Sequence, residues 1–287
     1  MKNTLLISLI TVLLFACKDK TVKNNNAHTD TTHSLTDTIV EHFVGDTLTY
    51  EVKSYDKKIE GCANEKTNCA SFIASFPVLN VMVHGKVADS INNFIRAKLY
   101  YPLIGDEQPN GLNDLLRPYF DAYKETLQTN QNEGEDSIAA WSFKRNITVH
   151  TNTFKVFTLV HSEKSYAGGA HPNSFSNYYH FNPKDGKRFY LNDFFKLGFE
   201  KELTAIAEKK FRKQLNISPK ASLEDEGFWF KTKKFSLNEN FWWAKDGLHF
   251  LYNPYEVAAP AVGAIEVVVN YNDIYDLVKE EHKTQDS

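Results

Sequence analysis

The run "SYAGGAHPNSFSNYYHF", Ser165 to Phe181, collects side chains that do chemistry: His171 and His180, Ser165, Ser174 and Ser176, around a Gly168-Gly169 pair. His161 and Glu163 stand just upstream, and His249 lies further along. Zinc needs three or four His, Cys or carboxylate ligands in a compact arrangement. Here the histidines are 10 and 9 residues apart across strand-like sequence, with no HExxH pattern, so they do not form a recognisable ligand set. A serine hydroxyl beside His171 is possible on paper, but there is no GxSxG elbow and no acid placed to orient the imidazole. Glycoside hydrolysis needs two carboxylates, and these come together from distant positions without leaving a local trace; Glu163 and Asp185 are merely the nearest acids. Gly168-Gly169 could offer backbone amides to an anion, yet no Lys-Ser/Thr follows and a strand, not a helix, comes next. The simplest reading is a turn that needs positive φ or close backbone approach. His171 precedes Pro172, which biases it to extended backbone and projects the imidazole outward. Tyr166, Gly168, Gly169, Ala170, His171 and Pro172 are therefore expected to shape a binding surface. No catalytic residue, metal ligand or cofactor is assigned.

Aromatic residues form the second candidate set. The chain has 21 Phe, 14 Tyr and 4 Trp, more than a small core requires. Exposed Trp and Tyr offer rigid contact area with a polar tip, suited to stacking on sugar rings or anchoring a protein. Trp242 and Trp243 are consecutive and cannot both face inward from one strand. Trp243 and Tyr255 are taken as candidate contact residues.

The elements that must hold these residues follow from periodicity. Thr47 to Val52 alternates as a strand, and Ala70 to Leu79 is a second β-rich run. From Asp89, Ile91, Phe94, Ile95 and Leu99 recur at helical spacing, and a second helix is expected from Asn113. Ser137 to Phe154 and Lys155 to Lys164 read as long strands joined at His150-Thr151-Asn152, the expected hinge between two subdomains. Phe175 to Phe181 is a further strand, and Asn182 to Lys187 has hairpin-turn composition. Leu203, Ile206, Ala207 and Phe211 mark a helix with an apolar stripe. Short strands are expected at Phe228 to Phe230, Phe241 to Trp243, Leu248 to Tyr252 and Ile265 to Val269, with a short closing helix from Tyr271 to Val278. The fold class is α+β, a two-part module with largely antiparallel sheet and packed helices.

Chain-level features set the compartment. Lys2 precedes an apolar run from Leu5 to Ala16, too short to span a bilayer comfortably, and Ala16-Cys17 completes a lipobox. Residues 1–17 are thus expected to be a lipoprotein signal peptide with Cys17 as the lipidated residue. Residues 18–45 are polar, rich in Asn, Thr and Asp, and read as a flexible linker to the envelope membrane. A net charge of −3 gives no basic footprint and argues against a nucleic-acid partner. Cys62 and Cys69, in a chain that leaves the cytoplasm, could close a local disulfide. The expected division is 46–150, 151–280 and a tail, 281–287.

Three stretches also carry a family resemblance. "SYAGGAHPNS", "YYHFNPKDGKRFYLNDFF" and "DGLHFLYNPYEVAAPAVGAIEVVVNYNDI" resemble the domain that ends the extracellular sensor of RsiV-type anti-sigma factors and occurs in PdaC-type peptidoglycan deacetylases. Upstream, "SFPVLN" and "VADSINNFI" are similar to the smaller domain preceding it. The resemblance covers about Asp46 to Val278 and implies a two-part extracytoplasmic module. It does not extend to a deacetylase catalytic domain or to a sigma-binding segment. What it implies is recognition, since RsiV-type sensors bind lysozyme through this module: a peptidoglycan-type glycan or a lysozyme-like protein is the expected partner. An envelope hydrolase with a carboxylate or histidine site is the alternative.

Overall fold

The structure, a computed structural model, describes residues 47–60, 69–133 and 139–283. The expectations for the signal peptide, Cys17, the linker and Cys62 lie outside these residues. Cys69 is disulfide-bonded.

Six strands form one sheet in sequence order: β1 Tyr50–Lys58, β2 Ser71–Leu79, β3 Ser142–Asn152, β4 Phe157–Tyr166, β5 Asn173–Phe181 and β6 Arg188–Phe189. All neighbours are antiparallel except β2 and β3, whose parallel pairing requires a crossover. Two helices, α1 Val81–Leu99 and α2 Leu112–Asn132, make that crossover and cover one face of the sheet. Ala88, Ile91, Ile95 and Leu99 of α1 pack on Phe72, Ala74, Phe76, Ile147, Leu159 and Phe181. The helix begins eight residues before the expected Asp89, because the Asn80 side chain accepts from Met82 N (3.0 Å) and starts an extra turn that kinks at Gly85.

After β6 a short helix, α3 Leu191–Phe194, leads to α4 Glu200–Gln214. A second, three-stranded antiparallel sheet follows, with β7 Phe241–Ala244, β8 Gly247–Tyr252 and β9 Ile265–Asn270, closed by α5 Tyr271–Ile274 and a 3₁₀ turn. Leu203, Ala207 and Phe211 of α4 pack on this sheet in a separate core rich in phenylalanine. Gly247, at φ 149°, is required where β7 turns into β8: a Cβ there would lie 2.0 Å from the Val269 carbonyl oxygen. The expected strand Phe228 to Phe230 pairs only at the single bridge Phe228–Ala258. Its residues alternate, with Phe228 and Phe230 buried and Trp229 exposed, but no neighbouring strand runs beside them.

The expected hinge at 150–152 needs correcting. Thr151 and Asn152 pair with Thr158 and Phe157, so β3 and β4 are one hairpin inside one sheet, with a bulge at His150. The first core reaches Phe181 and the second begins at Leu191, which puts the division between them.

Asparagine amides close exposed strand backbone in several places. Asn152 bridges N and O of Leu48 (3.1 and 2.8 Å), and Asn92 does the same for Leu79 (2.8 and 2.9 Å). A side-chain amide carries the same donor and acceptor as a peptide unit, so one asparagine replaces one residue of a missing strand. The seam between the two halves uses this device. Asn253 accepts from Ser176 N (2.8 Å) and donates to Ser176 O (3.1 Å), and Asn240 accepts from Tyr178 N (2.9 Å) and donates to Ser176 O (2.9 Å). The free edge of β5 is thereby tied to the second sheet.

Candidate functional site

The register of β3, β4 and β5 fixes which side chains share a face. On the helix-covered face, Arg145 stands opposite Glu163, and Ile147 opposite His161. Arg145 Nε donates to Glu163 Oε1 at 2.6 Å, and His161 Nε2 donates to the same oxygen at 2.9 Å. Arg145 Nη1 also reaches the carbonyls of Leu99 and Tyr101 (2.7 and 2.8 Å), which ends α1 on a buried guanidinium. Burial pushes the Glu163 carboxyl up, but the His161 hydrogen bond and the Arg145 charge outweigh it and hold the group below its ordinary range. Glu163 is a fixed anion in a structural network, unsuited to donating a proton as a general acid.

The opposite face is polar and arranged in rows. Lys144, Lys164 and Ser174 form one row, Asn146, Ser162 and Ser176 the next, and Thr148, Val160 and Tyr178 a third. The first two rows line a cavity of about 260 Å³ at the seam, whose far wall is Leu251, Asn253, Pro254 and Ala264 from the second half. Beyond it Tyr178 stacks on Trp242 (ring centroids 4.4 Å, 16°), and Trp242 on His249 (4.8 Å). His249 is clamped by Glu266 (2.6 Å) and Asp246 (2.8 Å), and its hydrogen bond holds the Asp246 carboxyl below the ordinary range.

The GGAH segment is the exposed turn of the β4–β5 hairpin. Gly168 and Gly169 have φ of 77° and 127°, the region that favours glycine, and no backbone approaches either closely. Tyr166 is half-buried and its hydroxyl donates to Gly169 O (3.1 Å), while Gly168 to Pro172 project into solvent. His171 makes no hydrogen bond. Tyr255 is 52% exposed and adopts φ 68°, a left-handed conformation uncommon for a bulky residue. Its turn is locked, since Glu256 accepts from Asn253 N (2.8 Å) and from Asn238 Nδ2 (2.8 Å). The hairpin and this turn, about 80 residues apart in sequence, meet at the seam: Ser174, Phe175 and Ser176 at the hairpin base line the cavity opposite Asn253 and Pro254.

Trp243 falls elsewhere. It packs half-buried on Phe194, Phe195 and Tyr271, against the second core, while its neighbour Trp242 joins the stack at the seam. The four histidines are not brought together. His161 lies under the helices, His171 at the hairpin tip, His249 on β8, and His180 is buried between Thr158 Oγ1 (3.0 Å) and the Phe241 carbonyl (2.7 Å). No metal-holding cluster of three or more His, Cys, Asp or Glu occurs among the described residues. The residues that sequence reasoning missed are Lys144, Asn146, Lys164, Asn240 and Asn253. Alternation in β3 and β4 already placed the first three on the face opposite Ile147 and Leu159, but only the fold supplies the facing wall.

Residues 63–174 match the family model described as "Deacetylase PdaC", and residues 192–272 match "Protein of unknown function (DUF3298)". The chain therefore carries a PdaC-like part followed by a DUF3298 part, the arrangement of an envelope-associated module. The boundary between the matches falls where the two cores separate. No curated protein matches. Among solved structures, a DUF3298 member from Bacteroides fragilis is similar with a TM-score of 0.63 at 21% identity, covering 82% of this chain and 94% of that one. A DUF3298 family protein from Pseudomonas aeruginosa has a TM-score of 0.60 at 14% identity, covering 82% and 96%. At these identities the likeness establishes the fold. Among the described residues no helix is long and apolar enough to cross a membrane.

Proposed function

We propose that this chain is a lipid-anchored envelope protein, held through Cys17, whose two-part module recognises a peptidoglycan-type glycan without catalysis of its own. The observation that carries this reading is the seam cavity, where the GGAH hairpin and the Asn253–Glu256 turn converge on a grid of hydroxyl, amide and amine groups beside a stacked Tyr178–Trp242 pair. Hydroxyls and amides suit a polyol, and an aromatic platform suits a sugar ring. The exposed Tyr255, at φ 68°, directly follows Asn253 and Pro254 of the cavity wall, and backbone cost of this kind is commonly tolerated for a ligand. The test is calorimetry of the full chain in detergent with peptidoglycan fragments and, separately, with lysozyme. Binding to the fragments that weakens at least about tenfold, or 1.4 kcal/mol, in Tyr255→Ala supports glycan recognition. Binding to lysozyme alone, lost in His171→Ala, replaces the glycan with a protein partner held by the hairpin tip.

One observation favours a second reading, an envelope hydrolase. His249 is oriented through Nδ1 by Glu266 (2.6 Å), as a general base is, but its Nε2 is held by the exposed Asp246 (2.8 Å) and accepts a proton only once that carboxylate swings away. Release of soluble fragments from peptidoglycan by the wild-type chain but not by His249→Ala would favour it over recognition.

A further inference from the structure

We infer that the ligand of the seam cavity carries a carboxylate, and that Lys144 and Lys164 bind it. This inference rests on the recognition reading above and adds the chemical class of the ligand. The two lysines are direct partners across β3 and β4, both exposed, and both line the cavity. Neither has an acidic partner among the described residues. Like charges directly opposite each other on a sheet destabilise it, so the pair has a cost that nothing in the fold offsets.

Two ordinary explanations for such lysines fail here. Lysines protect the open edges of sheets from pairing with other chains, but β3 and β4 are interior strands with neighbours on both sides. Edge protection belongs to β1, where Lys53, Lys57 and Lys58 lie on the outermost strand and Lys53 is neutralised by Glu51 at 2.8 Å. Nor is the pair compensated by Glu163, which borders the cavity but lies on the opposite face of the sheet, where Arg145 and His161 engage its carboxylate. The cavity is left with two ammonium groups at one end and neutral polar groups in the next row. From the lysine row to the Tyr178–Trp242 stack is four residues along β5, about 14 Å at strand rise. A saccharide with an acidic substituent at one end fits this order: carboxylate on the lysines, hydroxyls on Asn146, Ser162 and Ser176, and a ring toward the aromatic pair.

The experiment compares two disaccharides that differ by one lactyl ether with its carboxylate, N-acetylglucosaminyl-N-acetylmuramic acid and N,N′-diacetylchitobiose, by calorimetry on the full chain in detergent. The wild-type chain is expected to bind the acidic disaccharide at least about tenfold more tightly. The Lys144→Gln/Lys164→Gln chain is expected to remain folded, with matching thermal unfolding, and to lose that preference. Equal binding of both sugars, unchanged in the double variant, overturns the inference and leaves glycan recognition standing. Binding of neither sugar and of no polyglutamate overturns both. Lysine-dependent binding of polyglutamate without binding of either sugar overturns the saccharide assignment and points to an acidic peptide.

Discussion

The two faces of the β3–β4 hairpin treat charge in opposite ways. Arg145 and Glu163 point under the helices, where each finds the other at 2.6 Å and further partners besides. Lys144 and Lys164, their immediate neighbours in sequence, lie on the other face, directly opposite each other in register and without an acidic partner among the described residues. On the covered face a charge without a partner would not be tolerated, because desolvation costs several kcal/mol per ion. On the open face water solvates each ammonium, so an uncompensated pair persists at modest cost and remains free for a ligand. Buried charge here is architecture, whereas unpaired charge beside a cavity is a site.

The comparison is broken most sharply at Arg145. Arg145→Ala should destabilise the fold by about 3–5 kcal/mol, since it strands the Glu163 carboxylate and the carbonyls of Leu99 and Tyr101. Denaturant unfolding measures this, and a loss under 1 kcal/mol would contradict a structural role. Acid should act next, through His180, on the open-face side of the sheet but sealed under Phe241. Burial there lowers its pKa to about 3, against an ordinary value of 6.5. Below 6.5 the unfolded chain binds a proton that the folded chain refuses, so this contribution falls as pH falls, by about tenfold in the folding equilibrium per unit down to about 3. Unfolding followed at pH 7 and pH 5 should show this slope, and His180→Gln should flatten it. Glu163 adds a smaller loss at lower pH, through the window below its ordinary carboxyl range, as its ion pairs are protonated away.

Asn253 sharpens the contrast at the seam. Asn253→Ala leaves Ser176 N without its acceptor and Ser176 O with Asn240 alone, and should cost about 1–3 kcal/mol, with amide exchange at Ser176 rising measurably. The smallest effect is expected on the open face. Lys144→Gln should leave stability within about 0.5 kcal/mol, with any change stabilising because the like-charge contact is relieved. A loss above 1 kcal/mol would mean that Lys144 holds the fold and is not held in reserve for a ligand.

The periodicities that place α1, α4, β3 to β5 and the second sheet are legible because each element buries one stripe or one face, and that pattern is local. The α+β class followed from them, and so did the turn at Gly168-Gly169, since adjacent glycines announce positive φ wherever they occur. The hinge at 150–152 was misread for a local reason: polar β-formers such as Thr151 and Asn152 look like a linker, yet they pair with Thr158 and Phe157 and carry a bulge. Phe228 to Phe230 alternates as a strand should, and a strand without a neighbour is what the fold made of it. Trp243 and Trp242 could be told apart only by their surroundings, one resting on Phe195 and the other on Tyr178.

The candidate site shows the same division. By itself the sequence determined the conformations of its parts: the exposed glycine hairpin, the Asn253-Pro254 turn that carries Tyr255, and the alternation that puts Lys144 and Lys164 on the face opposite Arg145 and Glu163. These depend on backbone preference and on the two-residue period, which neighbouring residues set. Only the tertiary structure decided that the hairpin and the turn face one cavity, that Asn240 and Asn253 close the β5 edge, and that the two lysines stand opposite each other with no acid between them. Those facts depend on strand register and on the docking of the second sheet, which are set by burial across residues far apart in the chain.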